Sequence, residues 1–221
     1  MICSHLRFVG GGRWATIVLN ELVKEFPNLS IDWVCNSKLD EKRNLIKNST
    51  FLQAVNIVDK KNISALNVPD KLIIASHSSQ HCLDLETHKI NVPTLIEKPL
   101  FPTYGEFEAL AKKDKENTFM NLEFYFAFFI EDFFDKIKDH KLKEIKFTWH
   151  DPLTERRKGE ESKDSEIYSS IFMDQLIHVM SIVKLLNMET YDSSRRYLEI
   201  KDDDEGCILV LSEFDGVKIE I

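Results

Sequence analysis

The stretch Leu6-Arg7-Phe8-Val9-Gly10-Gly11-Gly12-Arg13-Trp14-Ala15 decides how this chain folds. Leu6–Val9 is a short apolar run, which reads as a strand. Three glycines end it. From Ala15 to Phe26 the apolar residues Ile17, Leu19, Leu22, Val23 and Phe26 recur at helical spacing. A glycine-rich turn between a strand and an amphipathic helix, in the pattern G-x-G-x-x-G/A, is the form that cradles a pyrophosphate. Gly10 permits the tight turn, Gly12 lets the backbone approach the phosphates, and Ala15 is small enough for close helix–strand packing. The first turn of the helix supplies N–H donors and the positive end of a dipole. Gly10, Gly12, Arg13 and Trp14 are therefore candidate cofactor-binding residues. The plainer alternative is a glycine-rich turn that holds nothing.

Working outward, the first half keeps alternating short apolar runs with helical patterns. Ile31–Cys35, Phe51–Val58, Leu72–Ala75, Thr94–Ile96 and Thr118–Leu122 read as strands. Asp40–Lys47, Gln80–Lys89 and Tyr104–Lys113 read as helices. Such alternation is the pattern of an α/β, doubly wound parallel sheet of the Rossmann type, here over residues 1–121. Ligands of these sheets bind outside the carboxyl ends of the strands. Four segments sit there: Gly10–Arg13, Asn36–Lys38, Ser76–His81 and Glu97–Pro99.

The pattern changes after residue 121, and residues 122–221 read as a smaller α+β domain on an antiparallel sheet. Phe126–His140 reads as a helix rich in Phe, and the overlapping Phe-rich segment Phe124–Phe134 reads as core rather than a cofactor box. Lys143–Trp149 alternates like an antiparallel strand. Asp151–Glu166 is a charged loop and Ser169–Leu186 a long helix. Tyr197–Ile200, Cys207–Phe214 and Val217–Ile221 are strands, the last two joined by a tight turn at Asp215–Gly216.

Composition sets bounds on function. The chain has 221 residues, 43% hydrophobic and 30% charged, enough apolar material for a core. Its net charge of −8 argues against nucleic acid or an anionic membrane surface as partner. No apolar run approaches the ~20 residues of a spanning helix. The N-terminus lacks the form of a signal peptide. Cys3, Cys35, Cys82 and Cys207 are scattered without a C-x-x-C pair, so no disulfide framework and no metal site is expected. These features lead to the expectation of a reduced, cytoplasmic location.

The dinucleotide pattern also expects a carboxylate after the second strand, for the ribose hydroxyls. Asn36, Ser37 and Lys38 stand there instead. Nothing in that trio repels a 2′-phosphate. Ser37 and Lys38 suit one, with the Arg13 guanidinium over adenine. NADP is thus expected ahead of NAD. Asp40 reads as the N-cap of the helix Glu41–Lys47.

Four features together resemble the glucose–fructose oxidoreductase/inositol dehydrogenase (Gfo/Idh/MocA) family. They are the loop GGGRWA at Gly10–Ala15, the segment ASHSSQH at Ala75–His81, Glu97-Lys98-Pro99-Leu100 after a strand, and the helix FMDQLIH at Phe172–His178. The resemblance implies that Lys98 lies near the nicotinamide and the reacting carbon, as a catalytic or substrate-orienting group, and that Glu97 contacts the nicotinamide–ribose side. It gives Pro99 the role of fixing the backbone after the strand, at a place where unusual peptide geometry is common. On spacing alone, Lys98 is a solvated charge at a strand end.

Asp174 and His178 are four apart and share a helix face with Ser181, while Phe172, Leu176, Val179, Val183 and Leu186 form the apolar face. A polar stripe on a greasy helix suggests a lined cavity. His178 is placed for general acid/base work and Asp174 for binding or orienting substrate. The bland alternative is a His and an Asp that bond each other beneath the sheet. His81 lines the cofactor loop or caps the helix after it. Ser76, Ser78 and Ser79 cap that helix or touch cofactor.

By this resemblance the chain is an NAD(P)-dependent oxidoreductase. It would move a hydride between the nicotinamide and a carbonyl or secondary alcohol of a sugar, nucleotide sugar, cyclitol or related metabolite. A catalytically silent dinucleotide-binding sensor or partner subunit is the alternative of another class. Imine reduction is a variant of the first. Two departures stand out. Family members continue past residue 221, and Tyr125 lies near a position where many carry Arg. The small C-terminal sheet leaves an exposed edge, from which a homo-oligomer is expected.

Overall fold

The computed structural model describes residues 3–48, 54–88, 91–100, 117–122, 127–140, 143–147, 177–179, 181, 182, 185, 199–202, 208–214 and 217–220. The chain divides into two units, Met1–Asn121 and Leu122–Ile221.

The first unit runs β1 (His5–Val9), α1 (Arg13–Glu25), β2 (Ser30–Cys35), α2 (Leu39–Lys47), β3 (Val55–Asp59), a 3-10 turn Lys60–Ala65, β4 (Lys71–Ile74), a 3-10 turn Ser78–Gln80, α3 (His81–His88), β5 (Thr94–Ile96) and β6 (Thr118–Met120). Its six strands pair in the order β3-β2-β1-β4-β5-β6, each pair parallel. The order reverses between β1 and β4, so the carboxyl end of β1 opens on the switch-point crevice of a doubly wound sheet.

The strands read as continuous apolar runs because both faces are covered. On one face Leu6, Phe8, Ile31, Trp33 and Cys35 meet Ala15, Leu19 and Val23, which recur every fourth residue along α1. On the other, Val9, Val34, Val58, Leu72, Ile74 and Ile96 pack together, with Leu85 of α3 against them.

Several boundaries differ from expectation. Asp40 is not the N-cap of α2. That position is Lys38, in a left-handed conformation (φ 56°) with no side-chain cap bond. Asp40 falls in the first turn and pairs with Arg43 at 2.9 Å, where its charge suits the helix dipole equally well. The third strand, expected within Phe51–Val58, runs Val55–Asp59, and the helix expected over Gln80–Lys89 is α3, entered through a 3-10 turn that ends at Gln80. The expected helix Tyr104–Lys113 lies outside the described residues.

The second unit contains α4 (Phe128–Ile137), β7 (Glu144–Lys146), β8 (Glu199–Asp202), β9 (Ile208–Phe214) and β10 (Val217–Glu220). These strands pair in the order β7-β10-β9-β8. β8–β9 and β9–β10 are antiparallel, and Val217 faces Phe214, a register that suits a two-residue turn. β7 instead runs parallel to β10, so the sheet is mixed rather than antiparallel. Side-chain alternation reports the pleat of a strand and carries no information on its direction. Residues 177–179, 181, 182 and 185 are helical, inside the helix expected over Ser169–Leu186; the loop expected over Asp151–Glu166 lies outside the described residues.

The Phe-rich helix corrects another expectation. Phe128, Phe129 and Phe133 are exposed, whereas Ile130, Phe134 and Ile137 form its half-buried face. The composition of that stretch suggested core, but the i, i+4, i+7 stripe admits only one side of it. Among the described residues no helix is long and apolar enough to cross a membrane, and no cluster of metal-binding side chains occurs.

Candidate functional site

Gly10 ends β1 with a φ of +139°, a region that side-chain-bearing residues rarely adopt. A Cβ there would stand 2.5 Å from the Ala75 carbonyl oxygen and 2.9 Å from the Ser76 nitrogen. Only glycine lets the loop pass this close to the end of β4. Gly12 is different: a Cβ on it would meet nothing within 4 Å, so the space beside it is open. Gly12 is also the N-cap of α1, without a side-chain cap bond, and the first turn holds no acidic residue. A helix start with no acidic side chain in its first turn suits an anion. Arg13 and Trp14 are exposed beside this turn.

Asn36, Ser37 and Lys38 follow β2 and are all exposed. Lys38 Nζ lies 3.6 Å from the Glu41 carboxylate, a solvated pair that costs little to break. Beneath them sits Cys35, whose thiol burial pushes up to about 11, with Lys42 partly offsetting the effect. It is an inert core thiol rather than a nucleophile.

The loop after β4 is held from behind. Ser76 Oγ donates to Asp84 Oδ2 at 2.5 Å, and the buried Asp84 carboxylate also pairs with Lys60 Nζ. Ser76 is therefore an anchor to α3 rather than a cap. The cap of the 3-10 turn is His77, whose Nδ1 accepts from the Ser79 N–H. His81 is fully buried, with Nδ1 and Nε2 each 2.9 Å from a carbonyl oxygen, of Leu100 and of Ser76. Its ring ties the loop after β4 to the turn after β5.

That turn begins with Glu97, buried, whose N–H donates to the Ile74 carbonyl and whose Oε1 accepts from Asn121 Nδ2 at 2.8 Å. Lys98 follows, half-buried, and the Lys98–Pro99 peptide is cis, the unusual geometry expected before this proline. The structure thus brings Gly10, Gly12, Arg13, Trp14, Ser76, His81, Glu97 and Lys98 to the carboxyl ends of the adjacent strands β1, β4 and β5. Asn36–Lys38 stand at the end of β2, next to β1.

In the second unit His178 is helical and buried. Ser181 does not extend a polar stripe towards a ligand: its Oγ donates to the His178 carbonyl at 2.7 Å, a local back-bond on its own helix. Asp174 lies outside the described residues.

Two residues that motif reading passed over also touch the loop. The indole N–H of Trp33 donates to the Gly10 carbonyl at 2.6 Å. Lys42 stands 5.1 Å from the centroid of that indole and donates to Thr16 Oγ1 at 3.0 Å. The one signal in the sequence was a tryptophan inside an apolar strand, whose N–H needs a partner when buried.

This is a Rossmann-like α/β unit followed by an α+β unit on a mixed sheet. Among solved structures the chain is similar to several dehydrogenases. A Gfo/Idh/MocA family oxidoreductase from Vibrio cholerae is 14% identical, with a TM-score of 0.66 over 98% of this chain and 67% of that one. A myo-inositol dehydrogenase from Corynebacterium glutamicum is 13% identical, with a TM-score of 0.70 over 99% of this chain and 68% of that one. The WlbA dehydrogenase from Bordetella pertussis, in complex with NADH and UDP-GlcNAcA, is 12% identical, with a TM-score of 0.67 over 100% and 72%. The covered share of the neighbouring chains runs from 44% to 72%, and this chain spans about two thirds of the length of most of the structures it matches. No protein-family profile and no curated protein matches the sequence.

Proposed function

We propose that this chain belongs to the Gfo/Idh/MocA oxidoreductases and binds a nicotinamide dinucleotide at the carboxyl ends of β1, β2, β4 and β5. Its reaction would move a hydride between NAD(P) and a carbonyl or secondary alcohol of a sugar, nucleotide sugar or cyclitol. One observation carries the reading. A glycine with φ +139° is packed against the end of β4, beside a helix N-terminus left without side-chain cap or carboxylate, and Lys98 stands two strands away at the same sheet end.

The residues present fit the cofactor. Uncapped N–H groups of α1 suit the pyrophosphate, and exposed Asn36, Ser37 and Lys38 suit a 2′-phosphate better than a free ribose diol. The bound nicotinamide would supply or accept the hydride. Lys98 is the group assigned to stabilise charge developing on the substrate oxygen, because a half-buried ammonium acts in a medium of lowered dielectric. His178 is assigned proton exchange with the substrate hydroxyl and Asp174 the orienting of substrate.

Titration with NADPH and NADH, followed by nicotinamide fluorescence, tests this directly. Saturable binding with NADPH preferred is expected. Ser37→Asp, which puts a carboxylate where the 2′-phosphate would lie, should move the preference towards NADH by tenfold or more, about 1.4 kcal/mol. Absence of binding by either nucleotide would overturn the proposal.

A further inference from the structure

We propose that Trp33 is a positioning residue of the dinucleotide loop, aiming the Gly11 N–H at the phosphates by pinning the Gly10 carbonyl. The inference rests on the dinucleotide reading and deepens it. Trp33 is wholly buried in β2, and its Nε1–H donates to Gly10 O at 2.6 Å. The Gly10 N–H donates to Val34 O at 3.0 Å, so both backbone groups of Gly10 are held by β2.

The consequence follows from the planarity of the peptide bond. In a trans peptide the C=O and the following N–H point in opposite directions. With the Gly10 carbonyl turned inward to a buried indole, the Gly11 N–H is turned outward. Among the described residues nothing accepts it. Glycine stands on both sides of this peptide unit, and glycine is the residue for which rotating such a plane is easiest. The sequence that lets the loop approach a phosphate therefore also lets its central amide turn away. The Trp33 N–H removes that freedom, and pre-ordered donors bind more tightly than donors ordered on binding.

The bracket is itself fastened. The Cys35 thiol approaches the same carbonyl at 3.8 Å. Lys42 of α2 stands over the Trp33 ring and donates to Thr16 Oγ1, which donates to the Gly12 carbonyl at 3.0 Å. Two carbonyls of the loop, those of Gly10 and Gly12 on either side of Gly11, are thus occupied from the protein side.

Trp33→Phe removes the donor but also opens a void in a fully buried site, which confounds stability with binding. The decisive change is replacement of residue 33 by 3-benzothienylalanine, which keeps both rings and has sulfur in place of the N–H. The readouts are NADH and NADPH titration, thermal melting, and the exchange rate of the Gly11 amide proton. The analogue should weaken dinucleotide binding about five- to tenfold, the loss expected for one hydrogen bond. Melting should change little, and Gly11 amide exchange in the bound state should speed up. Unchanged affinity overturns the proposal while leaving the dinucleotide reading intact. So does a loss of affinity matched by an equal loss of stability with Gly11 exchange unaltered. If the unmodified protein binds neither nucleotide, the dinucleotide reading fails, and the assignment of Trp33 falls with it.

Discussion

At the scale of single residues, Gly10 and Lys98 should separate binding from turnover. Gly10→Ala forces a side chain to a φ of +139° and drives its Cβ to 2.5 Å from the Ala75 carbonyl oxygen. Backbone strain of this kind alone costs about 1–3 kcal/mol. The contact is with backbone at the end of β4, which cannot swing aside as a long side chain would. The substitution should lower the melting temperature and abolish dinucleotide binding together. Gly12→Ala, at a φ of −73° with open space around it, should fold normally. Lys98→Met should leave nucleotide affinity within about twofold and reduce turnover by at least about a hundredfold, since interactions made with developing charge appear in kcat. Equal turnover by Lys98→Met and the unmodified protein, measured with any accepted sugar or cyclitol, would remove Lys98 from the chemistry.

At the scale of elements, α3 meets β1 through a polar contact that should make stability depend on pH. His88, the last residue of α3, is buried against Arg7 of β1, with Nδ1 3.4 Å from Arg7 Nη1. Arg7 also donates to the Asn67 carbonyl at 2.7 Å. Burial first, then the Arg7 guanidinium, pushes His88 down from 6.5 to about 4. Between these values the unfolded chain binds a proton that the folded chain refuses. This group therefore lowers stability as pH falls from about 6.5 towards 4, by up to about 1.4 kcal/mol per pH unit, and contributes no slope above that window. Urea unfolding at pH 7 and pH 5 should show the loss, and His88→Gln, which cannot take up the proton, should show less of it. An identical slope in both proteins would assign the loss elsewhere.

The same elements mark what sequence reading reaches. β1, α1, β2 and β5 were legible because a strand buried on both faces and an i, i+4 stripe are local patterns. So was the crevice at Gly10, since a strand–glycine–helix order implies it. Contacts between residues far apart in the chain were not. Trp33 and Gly10 are 23 positions apart, His81 and Leu100 are 19 apart, and nothing adjacent to any of them announces its partner. Lys38 at φ 56° was hidden for another reason: the loop imposes a left-handed turn on a residue with no preference for it. The direction of β7 was unreadable because it depends on which strand it joins.

At the scale of the whole molecule, the expected association of copies turns on the second unit. Its sheet has β7 at one end and β8 at the other. An outer strand is where a second chain could add by backbone pairing. Protected edges are short, charged or covered. β7 is three residues, Glu144-Ile145-Lys146, and carries charge at both ends, so it is already blunted. β8, Glu199-Ile200-Lys201-Asp202, is likewise short and charged. Edge-to-edge pairing is therefore the less favoured route, and a face of the sheet is the better candidate for the contact. β9, Ile208-Leu209-Val210-Leu211-Ser212-Glu213-Phe214, is apolar at its first four positions, the sequence pattern of a strand segment covered on both faces. We propose that a second copy supplies one of those covers. Light scattering should then give a mass of about twice 25.8 kDa. Leu209→Lys and Leu211→Lys place a charge on one face of β9, and Val210→Lys on the other. One of these two sets should return the mass to that of a single chain while the first unit still binds NADPH. A single-chain mass for the unmodified protein at micromolar concentration would exclude the homo-oligomer.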